Sequence, residues 1–170
     1  ENIPKPSLPL WRKNAVGIRG TGPESIIAIV IDDAGLDKKL TRQAINLPGP
    51  LTFSFMTYAS RIHQQVLFAK DLGHEVMVHV PMEPFDLNLD PGPNFLAISS
   101  TDQIILKQLK WSLSRVPGAV GINNHMGSKF TSNDRGMRLV MGELRRKGLL
   151  FLDSRTTDQS IAPKFAQMYR

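Results

Sequence analysis

Past its first two dozen residues the chain alternates between apolar runs and amphipathic stretches. Ile26 to Ile31 is an unbroken apolar run, mostly β-branched, the pattern of a strand buried on both faces. Lys38 to Ile45 predicts a short helix stopped by Pro48 and Gly49, and Leu51 to Met56 a second strand. Ser60 is placed to cap a helix that runs to Leu72 and stops at Gly73; Val76 to Val80 is then a third strand. Thr101 opens a longer helix with Leu106, Leu109, Leu113 and Val116 on one face. Ala119 to Ile122 predicts a fourth strand, Asn133 to Lys147 a helix ended by Gly148, and Leu149 to Leu152 a fifth strand. A last helix starts near Ala162.

Strand–helix alternation at this spacing implies right-handed βαβ units, hence an α/β domain with a parallel sheet or barrel over residues 25–170. An open five-stranded sheet and a truncated barrel both fit. Residues 1–24, rich in Pro and Gly, read as a linker or a strap laid over the domain, with Trp11 as its anchor. The stretch between Pro81 and Ser100 has neither period, and Pro81, Pro84, Pro91 and Pro93 stiffen it. A loop of that length in a compact domain points to function, and its prolines to an ordered rim.

Composition narrows the classes. A hydrophobic content of 41% over 170 residues suits one domain, and no apolar run nears the roughly 20 residues that span a bilayer. The first residue is Glu1 rather than Met, as in a processed or trimmed product, so a secretion signal lost upstream is compatible with the sequence. The net charge of +6 raises an anionic partner. However, Arg145, Arg146 and Lys147 sit at a helix carboxyl end, where cations suit the macrodipole, and no nucleic-acid motif accompanies them. Nucleic acid is therefore not expected. The absence of Cys removes disulfides and thiolate metal sites.

Ligands of parallel α/β domains bind beyond the carboxyl ends of the strands. Those ends carry Asp32 and Asp33 (strand one), His79 followed by Glu83 (strand three), Asn123, Asn124, His125 and Ser128 (strand four), and Asp153, Ser154 and Arg155 (strand five). Adjacent carboxylates repel unless a cation or a shared proton relieves them. With Asp33, His79 and His125 as ligands, a divalent ion, zinc in type, would keep positions open for water and substrate, leaving Asp32 as base. The bland alternative is that Asp32 caps the next turn. Arg155 either pairs with Asp153 or orients Asp32 or the substrate. His74 reads as a hydrogen-bonding turn residue, His63 as solvent-facing, and Phe53, Phe55 and Phe151 as core. A phosphoacceptor receiver domain is disfavoured, because His79 stands where it needs an Asp.

Five segments, Ile27–Gly35, Gly73–Pro84, Pro91–Leu96, Gly121–Thr131 and Phe151–Thr157, together resemble the divergent polysaccharide deacetylase family. The resemblance implies a distorted seven-stranded (β/α) barrel, incomplete here because only five strands are read. It implies Asp32 as base and Asp33 as metal ligand; Asp153 and Arg155, read from the end of strand five, complete the catalytic candidates. Gly73-His74-Glu75 leads to His79, which matches the first of two His in the second motif of typical carbohydrate deacetylases, the wider group of which this family is a branch; Glu83 stands where their second His would be. His125 is the natural replacement; Glu83 is then a weaker ligand, a support behind the ligands or, with Asn124 and Ser128, a substrate contact. The implied activity is removal of acyl, chiefly acetyl, groups from amino sugars of an envelope polysaccharide, in the periplasm or outside the cell. A non-catalytic relative using the same groove for a glycan or an envelope protein partner is the alternative.

Overall fold

The computed structural model describes residues 8–17 and 25–168. Five parallel strands, β1 (Val30–Ala34), β2 (Thr52–Met56), β3 (Glu75–Met82), β4 (Gly121–Met126) and β5 (Leu150–Leu152), form one sheet in the order β1-β2-β3-β4-β5. Seven helices accompany them among the described residues: α1 (Leu10–Asn14), α2 (Lys38–Ile45), α3 (Ile62–Asp71), α4 (Asp102–Arg115), α5 (Ser128–Thr131), α6 (Asp134–Lys147) and α7 (Ala162–Met168). Strand order never reverses, so right-handed crossovers lay successive helices against the same side of the sheet. This is barrel-type winding. A receiver domain has the order 2-1-3-4-5 and is thereby excluded.

Alternation along the strands divides the sheet faces. Phe53, Phe55, Val76, Val78, Val80 and Ile122 are essentially fully buried with the helix residues Ile62, Val66, Ile105, Leu109, Val140 and Leu144. The opposite face carries Ser54, His79 and Asn123, all buried, which sets the polar groups of the molecule side by side. Caps fit local chemistry: Asp37 Oδ1 accepts from the Lys39 and Leu40 amides, Thr101 Oγ1 from Ile104, and Asn133 Oδ1 from Gly136. Gly148 ends α6 at φ 64°, as its position predicts.

Several expectations need correction. The first strand is Val30–Ala34 rather than Ile26–Ile31, and it is not buried on both faces: Ile26, Ile27 and Ile29 are 70%, 82% and 52% exposed. Among the described residues β1 pairs with β2 alone, so its other edge has no cover. Asp32 and Asp33 lie within the strand, and β4 likewise continues through Asn123, Asn124 and His125. Ser60 does not cap α3; Arg61 holds that position in a left-handed conformation with no side-chain cap. On α4 the expected Leu109 and Val116 are buried and Leu113 packs partly buried against the core, but Ile105 and Ser112 are fully buried in addition and Leu106 is not.

Of the expected strap over residues 1–24, only 8–17 lie among the described residues. Trp11 anchors the amino-terminal segment by donating its amide to the Gly148 carbonyl, and Asn14 Nδ2 donates to Ala119 O. The Pro-rich loop is an ordered rim: Leu96 is fully buried, its amide bonds Pro81 O, and its carbonyl accepts from Glu83 N.

Two glycines test the packing in opposite directions. A Cβ on Gly121 would fall 2.3 Å from the Leu150 carbonyl oxygen, whereas one on Gly142, inside α6, meets nothing within 4 Å. Urea melts should show Gly121→Ala losing stability, and Gly142→Ala gaining about 0.5–1 kcal/mol from helix propensity.

Candidate metal centre

The site begins with a backbone irregularity. In a regular strand adjacent side chains face opposite sides, so Asp32 and Asp33 could not serve one site. The β1–β2 register shifts between Ile31 and Ala34, and Asp33 takes φ 56°, in the left-handed region. This bulge turns both carboxylates to the polar face. Asp32 Oδ1 accepts a 2.8 Å hydrogen bond from Asn123 Nδ2, and Asp33 Oδ1 lies 3.0 Å from His125 Nδ1 and 3.3 Å from His79 Nε2.

His79 and His125 come from adjacent strands. In the β3–β4 register His79 pairs with Asn123, and His125 lies one alternation further along the same face. Their rings meet edge-on, with His125 Nδ1 3.3 Å from His79 Nε2. One carboxylate oxygen and two imidazole nitrogens thus form a triangle with sides of 3.0, 3.3 and 3.3 Å. A tetrahedral ion holding ligands at about 2.0–2.1 Å sets them about 3.3–3.4 Å apart, so the donor set fits a small divalent ion such as zinc. Asp33 Oδ1, His79 and His125 are also the grouping of potential metal ligands found among the described residues. The Asp33 side chain is 58% exposed and that of His79 only 3%. One side of the triangle is embedded and the other faces solvent.

Beside the triangle lies a cavity of about 440 Å³, lined by Asp32, Asp33, His125 and Tyr58 and by apolar groups of β1 and α2. Tyr58 follows β2, and its ring packs on Gly92 of the rim, where a Cβ would come within 2.6 Å. Burial, then the negative charges of Asp33 and Asp90, push its phenol above the usual range, so it stays an O–H donor.

The other expected site residues are held in place around this centre. Glu83 Oε1 pairs with Lys129 Nζ at 2.7 Å, and its Oε2 accepts from the Ile98 amide at 2.6 Å. Its carbonyl accepts the Lys129 and Phe130 amides, so Glu83 braces the rim against α5. Ser128 Oγ accepts from Phe85 N. Asn124 is buried, bonding Ser154 N through Oδ1 and Met126 O through Nδ2. Asp153 accepts from Arg155 N and Ser160 Oγ; the Asp153–Arg155 contact is thus through the Arg155 backbone, and its side chain is exposed. His74 bonds Leu51 N and Ile45 O, and His63 is exposed, as expected of both. Sequence reasoning gave no role to Tyr58 or Ser54 and noted Asn123 only as one of the polar strand ends. Tyr58 was findable as a polar aromatic closing a strand, but the others required the register.

The sequence profile of the divergent polysaccharide deacetylase family matches residues 29–170. The chain belongs to that family. It is 38% identical over 142 residues to the uncharacterized protein YibQ of Escherichia coli (strain K12), covering 83% of this chain and 44% of YibQ. It is 32% identical over 145 residues to an uncharacterized protein of Haemophilus influenzae (strain ATCC 51907 / DSM 11121 / KW20 / Rd), covering 85% of this chain and 51% of that one. The chain spans about half the length of these curated relatives. The crystal structure of the uncharacterized protein ATU2773 from Agrobacterium tumefaciens C58 superposes with a TM-score of 0.89 at 25% identity, covering 96% of this chain and 70% of that one.

Burial lowers the His79 pKa from 6.5, against a raising contribution from Asp32, so its ring stays neutral where an exposed His is charged. A depressed folded-state value means the unfolded chain binds the proton first. Stability is then full above the unfolded value and is lost as pH falls below it toward the folded one. In metal-free protein, urea midpoints should decline as pH drops from neutrality through 6.5, and His79→Gln should flatten that decline.

Proposed function

We propose that this chain is a metal-dependent hydrolase that removes acetyl or related acyl groups from amino sugars of an envelope polysaccharide, acting in the periplasm or outside the cell. The observation that carries this reading is the triangle of Asp33 Oδ1, His79 Nε2 and His125 Nδ1 beside a second carboxylate, Asp32. Family membership supports the carbohydrate class of substrate. Asp33, His79 and His125 would hold the ion, with zinc the best chemical match. When bound, it would polarise the amide carbonyl and lower the pKa of water.

The chain's own groups do the rest. Asp32, anchored through Oδ1 by Asn123, accepts the proton of the attacking water as the water oxygen bonds the acyl carbon. The C–N bond then breaks, and that proton passes to the departing amine. Tyr58, protonated and on the same cavity, donates a hydrogen bond to the substrate. Asp153 and Arg155 order the wall beyond β5, and Glu83, Asn124 and Ser128 shape the groove that receives the sugar.

Zinc titration of metal-free protein should show one tight site that His79→Ala, His125→Ala or Asp33→Ala each abolishes. Release of acetate from N-acetylated sugar oligomers should accompany zinc loading, and Asp32→Asn should cut the rate about 10²–10⁴-fold while zinc still binds. Failure to bind zinc at this site would overturn the reading. Tight zinc and glycan binding without acetate release would favour the second reading, a non-catalytic glycan or envelope-protein receptor. Its support is Glu83, which stands where typical carbohydrate deacetylases have a second His and spends its carboxylate on Lys129 and Ile98.

A further inference from the structure

We infer that Asn123 is a positioning residue that joins the base to the ligand set: one amide orients the Asp32 carboxylate and fixes the tautomer of His79, so that the His79 Nε2 lone pair faces Asp33 and His125. The effect on catalysis rests on the function proposed above; the tautomer does not.

Asn123 is 1% exposed at the centre of β4, and its hydrogen-bonding capacity is filled. Nδ2 donates to Asp32 Oδ1 at 2.8 Å and to Ser154 Oγ at 3.2 Å. Oδ1 accepts from Ser54 Oγ and, at 2.8 Å, from His79 Nδ1. A primary amide has two donors and two acceptor lone pairs, so no alternative set of partners is left to it.

The direction of each bond follows in turn. A carboxylate only accepts, so the amide group facing Asp32 is the NH2, and the group facing His79 is the carbonyl. A carbonyl also only accepts, so His79 Nδ1 carries the proton. In a neutral imidazole the other nitrogen is then bare, and Nε2 is the atom 3.3 Å from both Asp33 Oδ1 and His125 Nδ1. Through Asn123, the carboxylate that serves as base thus selects which nitrogen of His79 becomes a ligand. Ligand histidines are commonly oriented by such a partner, at the cost of about 10–100-fold in affinity or activity when it is removed.

His74 supplies a built-in contrast. The Leu51 amide donates to its Nδ1 at 3.1 Å, and its Nε2 lies 2.8 Å from the Ile45 carbonyl. Its proton is therefore on Nε2, the opposite tautomer.

The test is a two-bond ¹⁵N–¹H correlation spectrum of the histidine rings in the full chain at neutral pH, with metal removed so that no ion dictates the tautomer. His79 is expected protonated on Nδ1 and bare on Nε2, with His74 reversed. Asn123→Asp keeps the acceptor toward His79 and removes the donor toward Asp32. It should hold the His79 tautomer and zinc affinity while kcat falls about 10–100-fold with KM little changed. Asn123→Leu removes both contacts and should move His79 toward the Nε2–H form and weaken zinc binding about 10–100-fold. A wild-type His79 protonated on Nε2 would overturn the inference, as would an unchanged tautomer in a folded Asn123→Leu protein. Should that variant not fold, the wild-type spectrum and Asn123→Asp decide. The expected tautomers in a chain that hydrolyses no acetylated sugar would uphold the assignment while overturning the proposed function.

Discussion

Two carboxylates adjacent in sequence face one side of a sheet, and the site depends on how the backbone allows it. Strand geometry sends neighbours to opposite faces; the bulge at Asp32–Asp33, with Asp33 at a positive φ, is what brings both to the polar face. A non-glycine residue at that φ costs free energy and persists only where its surroundings hold it. Here β2 pairs on either side of the irregularity, through Ile31 with Phe53 and Ala34 with Phe55, and Phe53 and Phe55 are fully buried. Strain at the site is balanced against packing beneath it.

The parallel register does the same for the second half of the site. Pairing His79 with Asn123 puts an imidazole beside an amide in the middle of the sheet, and one alternation further brings His125 to the same face. Buried polar groups in such a position are destabilising unless their hydrogen bonds are made. Ser54, His79, Asn123, Asp32 and Ser154 make them with one another in a connected set. The network that makes this polar face tolerable is also what aims the ligands.

Much of this was legible in the sequence. The five strands, the helix stops at Gly73 and Gly148, the Pro-rich rim and the trio Asp33, His79 and His125 all follow from periodicity and from which residues close the strands. What was not legible depended on contacts between distant segments. The Ile26–Ile31 run reads as a buried strand, but β1 has a pairing partner on one edge only among the described residues, so the pattern overstates the burial. Apolar positions on α4 at two neighbouring offsets satisfy a helical period, and only packing against the sheet selects Ile105 and Ser112. Polar residues after an apolar run predict a loop, but Asn123 and His125 remain in β4, paired with His79 and Pro81 across the sheet. The place of Glu83 in a motif points to the groove but not to what holds it there, which is Lys129, 46 positions away.

The central claim is that Asp33, His79 and His125 converge to hold one ion. Anomalous diffraction from crystals of the chain grown with zinc tests it most directly. The account predicts a single strong peak about 2.0–2.2 Å from Asp33 Oδ1, His79 Nε2 and His125 Nδ1, with a coordination position open toward solvent. A zinc peak elsewhere, or a triangle left empty while zinc saturates the crystal, would contradict it.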